Sequence, residues 1–163
     1  MEKSLYQKLA DLNISYEVLE HPAFFSCEES VEFAAQNPGG HAKTLFLRDK
    51  KKKHYFLAVV EDKHRIDTKA LCQYLECSGG KLSFGSAEDL QQILQVRPGS
   101  VTPFALLSDN QNKIQRVLID TSLKQHRFVY FHPMRNTASV KIKLSDFEKF
   151  LDSLSHNIEF FPF

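Results

Sequence analysis

The segment Phe131-His132-Pro133-Met134-Arg135-Asn136-Thr137-Ala138-Ser139-Val140 concentrates reactive groups in a short connection. A histidine, an arginine, an asparagine and two hydroxyls fall in or beside the link between two strand-like runs, 127–131 and 138–143. A plain hairpin turn needs Gly, Asn or Asp for its backbone and little else. Loops carried by rigid strands are where binding and catalytic groups gather. His132 can donate to a carbonyl, orient a hydroxyl or stack on a base. Asn136 offers both a donor and an acceptor. The competing reading is a long hairpin in which these side chains only satisfy backbone groups.

Three other places have comparable potential. Lys43 stands at the entry of the apolar run Leu45-Phe46-Leu47. There an ammonium can hold an anion or a polarised carbonyl at the mouth of a pocket, or it can simply snorkel. Thr44 adds a hydroxyl, or is a β-branched strand residue. In Arg97-Pro98-Gly99-Ser100-Val101-Thr102-Pro103, Gly99 permits a positive φ, and the turn can expose amides to an oxyanion. It can equally be a connecting loop. Lys50, Lys51, Lys52 and Lys53 form a basic run that could touch phosphates or remain a solvated turn that discourages edge pairing. His21-Pro22 could form one wall of a pocket, with the Ser26/Cys27 pair as helix cap and filler.

The totals exclude several classes of protein. A chain of 163 residues with 42% hydrophobic and 25% charged residues is one domain, residues 1–163, with a sizeable core. Fourteen Phe and no Trp make that core rich in phenyl rings. A net charge of +1 provides no whole-molecule field for nucleic acid, so any RNA must meet a local patch. The three cysteines, Cys27, Cys72 and Cys77, lack disulfide-framework or zinc-ligand spacing, and Cys72 and Cys77 read as apolar helix fillers. No signal peptide or bilayer-spanning run is apparent. The expectation is a cytoplasmic, reduced protein without metal, membrane or DNA partner.

These groups must be positioned by ordinary elements. A capping box at Ser4 predicts a first helix ending near Asn13, followed by a strand over 14–19. Ser26-x-x-Glu29 opens a second helix, closed by Asn37-Pro38-Gly39-Gly40. Runs 44–48 and 54–60 form a hairpin with the lysines at its tip. Asp67 and Ser86 cap two further helices on either side of a short strand, 81–84. Strands are expected at 102–107, 117–120, 127–131 and 138–143. A last helix starts at Ser145 and a closing strand covers 158–163. Strands and helices mix without strict βαβ alternation. The fold class is α+β, with a mixed, largely antiparallel sheet surrounded by helices.

In order and spacing, these segments resemble the YbaK-type aminoacyl-tRNA deacylase family, particularly its freestanding prolyl-tRNA-editing branch, ProX or PrdX. The matching residues are Glu20-His21-Pro22, Lys43 before Leu45–Asp49, Gly99-x-x-x-Pro103 and Phe131-His132-Pro133-x-x-Asn136-Thr137-Ala138-Ser139-Val140. They span nearly the whole chain. The resemblance implies a curved, partly barrel-like sheet and hydrolysis of mischarged alanyl-tRNA(Pro), with no cofactor. Lys43 would position the ester and the 3′-terminal adenosine. Amides of the loop from Gly99 through Ser100 and Val101 to Pro103 would face the carbonyl. A vicinal ribose hydroxyl would help activate water. His132 would place the substrate and Phe131 would shape the amino-acid pocket. Thr44, Asn136 and His21 would complete the binding surface.

The branch commonly has Asn where this chain has Thr44, which loosens the choice of amino acid among alanyl-, cysteinyl-, seryl- and threonyl-tRNA. Partners implied are the acceptor end of tRNA(Pro) and prolyl-tRNA synthetase. A non-catalytic module that binds tRNA or a synthetase, and a small-ligand domain whose motifs serve folding alone, are the competing readings.

Overall fold

The computed structural model of the protein describes residues 2–24, 27–51 and 54–163. Helices are α1 (Glu2–Asp11), α2 (Cys27–Gln36), α3 (Thr68–Leu75), α4 (Ala87–Ile93) and α5 (Leu144–Asp152). Strands are β1 (Tyr16–Glu20), β2 (Gly40–Arg48), β3 (Tyr55–Glu61), β4 (Ser83–Phe84), β5 (Ile114–Asp120), β6 (Phe128–Phe131), β7 (Ala138–Lys143) and β8 (Ile158–Phe161). The strands form one mixed sheet in the order β1-β7-β6-β2-β3-β5-β8, with β4 also on β2. The hairpins β2/β3 and β6/β7 and the pairs β1/β7 and β2/β4 are antiparallel; β2/β6, β3/β5 and β5/β8 are parallel. The α+β expectation therefore holds.

The sheet is covered on both faces. Alternate residues of β3 point to opposite sides, so Leu57 and Val59 join one core while Phe56, Ala58 and Val60 join the other. The larger core packs Phe104, Phe131, Phe147 and Phe150 between the sheet and α1, α4 and α5. Phe104 meets Phe131, Phe147 and Phe150 edge-on, the arrangement aromatic quadrupoles favour. The smaller core lies under α3, whose Leu71, Cys72 and Leu75 are buried.

Asp67 and Ser86 cap α3 and α4 as expected. Asp67 Oδ1 accepts from the amides of Lys69 and Ala70, and Ser86 forms a reciprocal box with Asp89. Four expectations change. The first helix begins at Glu2, before Ser4. Residues Pro103–Ser108 form a 3-10 helix and not a strand, because Thr102 caps the segment and Pro103 occupies its first turn. Helix α5 starts after Lys143 without a side-chain cap, so Ser145 lies inside it. Cys72 and Cys77 are joined as a disulfide, not left as reduced fillers: the αL turn at Glu76 brings their Cα atoms within 5.1 Å. Ser26, the predicted cap of α2, and Lys52 and Lys53 lie outside the described residues.

Candidate active site

Strand β2 changes partners along its length. Gly40 and His41 pair with β6, and Leu47 and Arg48 on the same edge pair with β4. Among the described residues, no strand pairs with that edge between these points. The other edge stays bonded to β3 from Ala42 onward. The gap opens an accessible cleft of about 770 Å³, lined among others by Lys43, Thr44, Gly99, Val101, Phe131 and His132. Residues from three distant segments thus converge on one space.

The Lys43 ammonium is anchored at one point. Its Nζ donates to the His64 carbonyl at 2.8 Å. An ammonium has three donors, so two remain for a ligand. His64 is itself fixed: its Nδ1 lies 2.7 Å from Oδ2 of the buried Asp120. That carboxylate also accepts from the Glu61 amide at 3.0 Å and the Ser122 amide at 3.1 Å. Burial alone would raise the Asp120 pKa, but these donors outweigh it and hold the carboxyl below its ordinary range. Neighbouring Glu61 bonds to Ser122 and to His126. Glu61, His64 and Asp120 bring ligand-type atoms within 4.8 Å of one another, although all three already hold the loop that carries the His64 carbonyl.

His132 faces the cleft as a hydrogen-bond acceptor. Its Nδ1 lies 2.8 Å from the Ala138 carbonyl, so Nδ1 carries the proton and donates. Burial lowers the imidazole pKa, and His21 adds to the effect against the opposing influence of Ala138 and Asp62. The ring is therefore neutral near neutral pH, leaving Nε2 to accept from a hydroxyl or ammonium. Of the roles read from the sequence, orienting a hydroxyl fits this tautomer; donation to a carbonyl does not.

Arg135 fixes the loop behind it. Its guanidinium reaches Glu2 at 3.0 Å and Glu20 at 2.6 Å, tying the loop to α1 and the end of β1. These carboxylates raise its pKa further, chiefly through the hydrogen bond with Glu20.

The Gly99 loop approaches the same place. Gly99 has φ +88°, and a Cβ there would lie 3.7 Å from Asn136 Nδ2, so the two loops abut. The Ser100 amide is spent inside the turn, donating to the Arg97 carbonyl at 3.0 Å. Among the described residues the amides of Gly99 and Val101 make no hydrogen bond, and both residues line the cleft. Ser100 and Pro103 are buried behind it.

His21 also stands behind the wall. Its Nδ1 donates to the Pro22 carbonyl at 2.9 Å, and its Nε2 accepts from Ser139 Oγ at 2.9 Å. Phe24 stacks on its ring at 4.5 Å and Phe33 meets it at 4.7 Å. His41 stacks on Tyr130 at 4.2 Å. These rings form an aromatic wall that individual positions in the sequence did not announce. Asp62, immediately after β3, was also missed. Its carboxyl lines the cleft near Lys43, His41 and His132; the residue as a whole is exposed, and partial dehydration of the carboxyl raises its pKa.

Lys50 and Lys51 of the basic run are remote from this site. Lys50 and Lys51 follow the Arg48–Tyr55 end of the hairpin, whereas Lys43 lies near the Ala42–Glu61 end. At ~3.3 Å per residue these ends are roughly 20 Å apart.

Comparison with known proteins gives a consistent result. Residues 21–150 match the family described as the aminoacyl-tRNA editing domain. A Bos taurus protein named prolyl-tRNA synthetase associated domain-containing protein 1 is 35% identical over 159 residues, covering 96% of this chain and 92% of the relative. The prolyl-tRNA editing protein ProX of Acetoanaerobium sticklandii is 33% identical over 148 residues, covering 91% and 88%. The crystal structure of a candidate trans-editing enzyme for prolyl-tRNA synthetase superposes with a TM-score of 0.70 at 16% identity, covering 97% of this chain and 94% of that one. Among the described residues no helix is long and apolar enough to cross a membrane. With the match extending from the turn at His21 into α5, and relatives covered over most of their length, this chain belongs to the aminoacyl-tRNA editing domain family.

Proposed function

We propose that this protein hydrolyses the aminoacyl ester of a mischarged tRNA in trans, with alanyl-tRNA(Pro) as the preferred substrate. The observation that carries the reading is the convergence of Lys43, the Gly99 loop and His132 on one cleft. Two relatives whose names refer to prolyl-tRNA editing or prolyl-tRNA synthetase support the choice of tRNA. A volume of about 770 Å³ accommodates a terminal nucleoside as well as a small amino acid.

In this reading the acceptor end enters over the unpaired edge of β2. Lys43 turns its two remaining donors toward the ester and the terminal ribose. The amides of Gly99 and Val101 face the carbonyl oxygen, whose charge grows as water adds to the carbon. Neutral His132 accepts from the vicinal ribose hydroxyl and fixes its direction. Collapse of the adduct breaks the acyl carbon–oxygen bond, returning a proton to the ribose oxygen and releasing the amino acid. An aminoacyl ester is already activated, so preorganised donors and orientation are the main requirements. Phe131 and Thr44 shape the space for the amino acid, and steric exclusion would spare prolyl-tRNA.

The test is deacylation of alanyl-, cysteinyl-, seryl- and prolyl-tRNA(Pro) by wild type and Lys43→Ala. Rapid alanine release that is lost in Lys43→Ala, with prolyl-tRNA spared, supports the proposal. Preference for another amino acid would move the specificity and direct attention to Thr44. Absence of hydrolysis with all four by a folded protein would reject the enzymatic reading in favour of a binding module.

A further inference from the structure

The space beside Lys43 contains an opposite charge that the ester chemistry leaves unused. β2 and β3 pair with Lys43 opposite Val60 and Ala42 opposite Glu61. One step further, the Asp62 amide donates to the His41 carbonyl at 2.9 Å. Directly opposed and alternate residues share a face of a sheet. Asp62 therefore lies on the face of Lys43, diagonally across the pair, and both line the cleft. Among the described residues the Asp62 carboxylate accepts no hydrogen bond and joins no ion pair, whereas neighbouring Glu61 is bonded to Ser122 and His126. The site thus presents a cation and an anion separately to the same space.

We infer that Asp62 binds the α-ammonium group of the aminoacyl moiety, while Lys43 faces its ester. An aminoacyl ester carries an electron-rich carbonyl and a cationic nitrogen on adjacent carbons, so it matches the two charges in a single orientation. Asp62 is exposed overall, but partial dehydration of its carboxyl disfavours the charge, and an arriving ammonium offsets that cost. The pairing would also turn the α-substituent in a fixed direction, which lets a steric pocket discriminate side chains. Peptidyl or N-blocked esters would lose this contact.

The inference rests on the proposed deacylase activity, and the experiment separates the two. Wild type, Asp62→Asn and Lys43→Ala are compared on alanyl-tRNA(Pro) and on lactyl-tRNA(Pro). The lactyl ester is nearly isosteric but has a neutral hydroxyl in place of the ammonium. A charge-assisted contact of this kind should make wild type about 10- to 100-fold less efficient, in kcat/KM, on the lactyl ester. Asp62→Asn should lose a similar factor on alanyl-tRNA and little on lactyl-tRNA, whereas Lys43→Ala should lose activity on both. Equal losses on both esters in Asp62→Asn would overturn the inference, making Asp62 a general base or a structural residue. So would an Asp62→Asn enzyme unimpaired on alanyl-tRNA. Asp62→Ser, with thermal unfolding of each variant, separates binding from folding. Failure of wild type on alanyl-, seryl- and cysteinyl-tRNA(Pro) would reject the deacylase reading itself and this inference with it.

Discussion

Replacing Asp120 by alanine should damage both the fold and the site, and the size of the effect follows from its contacts. The carboxylate is 1% exposed and accepts from His64 Nδ1, the Glu61 amide and the Ser122 amide. Loss of the acceptor strands three donors at about 1 kcal/mol or more each, so a destabilisation of about 3–4 kcal/mol is expected. In a chain of this size that lowers Tm by roughly 6–15 °C. Activity measured well below the new Tm should fall further, because His64 no longer holds its carbonyl against Lys43 Nζ.

Asp120→Asn keeps the volume and one acceptor oxygen but turns a donor toward a neighbouring N–H, so its loss should be smaller. The pH dependence has a fixed sign. Because the folded pKa is depressed, the stabilisation is present above the unfolded carboxyl value of about 3.9 and vanishes as pH falls through the folded value. Differential scanning calorimetry between pH 3 and 8 and initial deacylation rates measure the two effects. A double-mutant cycle with Lys43→Ala then isolates the positioning role, since the activity effect of Asp120→Asn should shrink once the ammonium is absent. A Tm change under about 2 °C for Asp120→Ala, or strictly additive activity losses, would refute this account.

Other perturbations test the remaining parts. The kcat/KM profile should carry an acid limb as His132 gains a proton below its ordinary range; that part of the limb should disappear in His132→Gln, while the part that follows protonation of Asp62 remains. Gly99→Ala should cost only about 1 kcal/mol of stability in denaturant titrations, since the new methyl makes an ordinary contact with Asn136 Nδ2 at 3.7 Å but φ +88° is strained. Its larger effect should be on kcat, through displaced amides of the cleft loop. Arg135→Ala, which releases the His132 loop from Glu2 and Glu20, should raise amide hydrogen exchange across 132–137 with a stability loss near 1 kcal/mol, these pairs being partly exposed. Replacing Lys50 and Lys51 by serine should leave kcat on a short acceptor minihelix unchanged, and a reduced salt slope with full-length tRNA alone would place the run on a distant part of the RNA.

The elements with strong local signals are legible in the sequence. Asp67 and Ser86 announce two helices because their side chains cap backbone amides within three residues. The β2/β3 hairpin is visible in two apolar runs around a charged turn. Residues 102–107 mislead because Thr102 and Phe104 favour strands and Leu106 and Leu107 extend the apolar run, yet Thr102 and Pro103 satisfy the start of a 3-10 helix and the phenyl ring of Phe104 fills the core. Cys72 and Cys77 look unrelated because a five-residue separation does not reveal the αL turn at Glu76 that closes it. Lys43, Gly99 and His132 can be named individually, but their meeting in one cleft depends on parallel pairing between β2 and β6, which carries no local signature. Asp62 is hidden for the same reason: an acidic residue after a strand is ordinary until the register places it diagonally from Lys43 on the same face.

The partner switch in β2 explains why the proposed chemistry falls at this cleft. A strand paired on both sides spends its amides and carbonyls on its neighbours, and one paired on neither side has no fixed side chains. β2 avoids both limits: β3 fixes its direction through Ala42–Arg48, while among the described residues the other edge is left open after His41 and closed again by β4 at Leu47. Lys43 and Thr44 therefore sit on rigid backbone beside an empty edge. The loops that fill the remaining sides are each tied down elsewhere, one by Arg135 and the other by the turn at Arg97–Ser100 and the buried Pro103. The His64 carbonyl, held by Asp120, supplies the last constraint. A cleft built this way can orient donors without a protein nucleophile, which is the requirement for accelerating attack on an ester that is already activated.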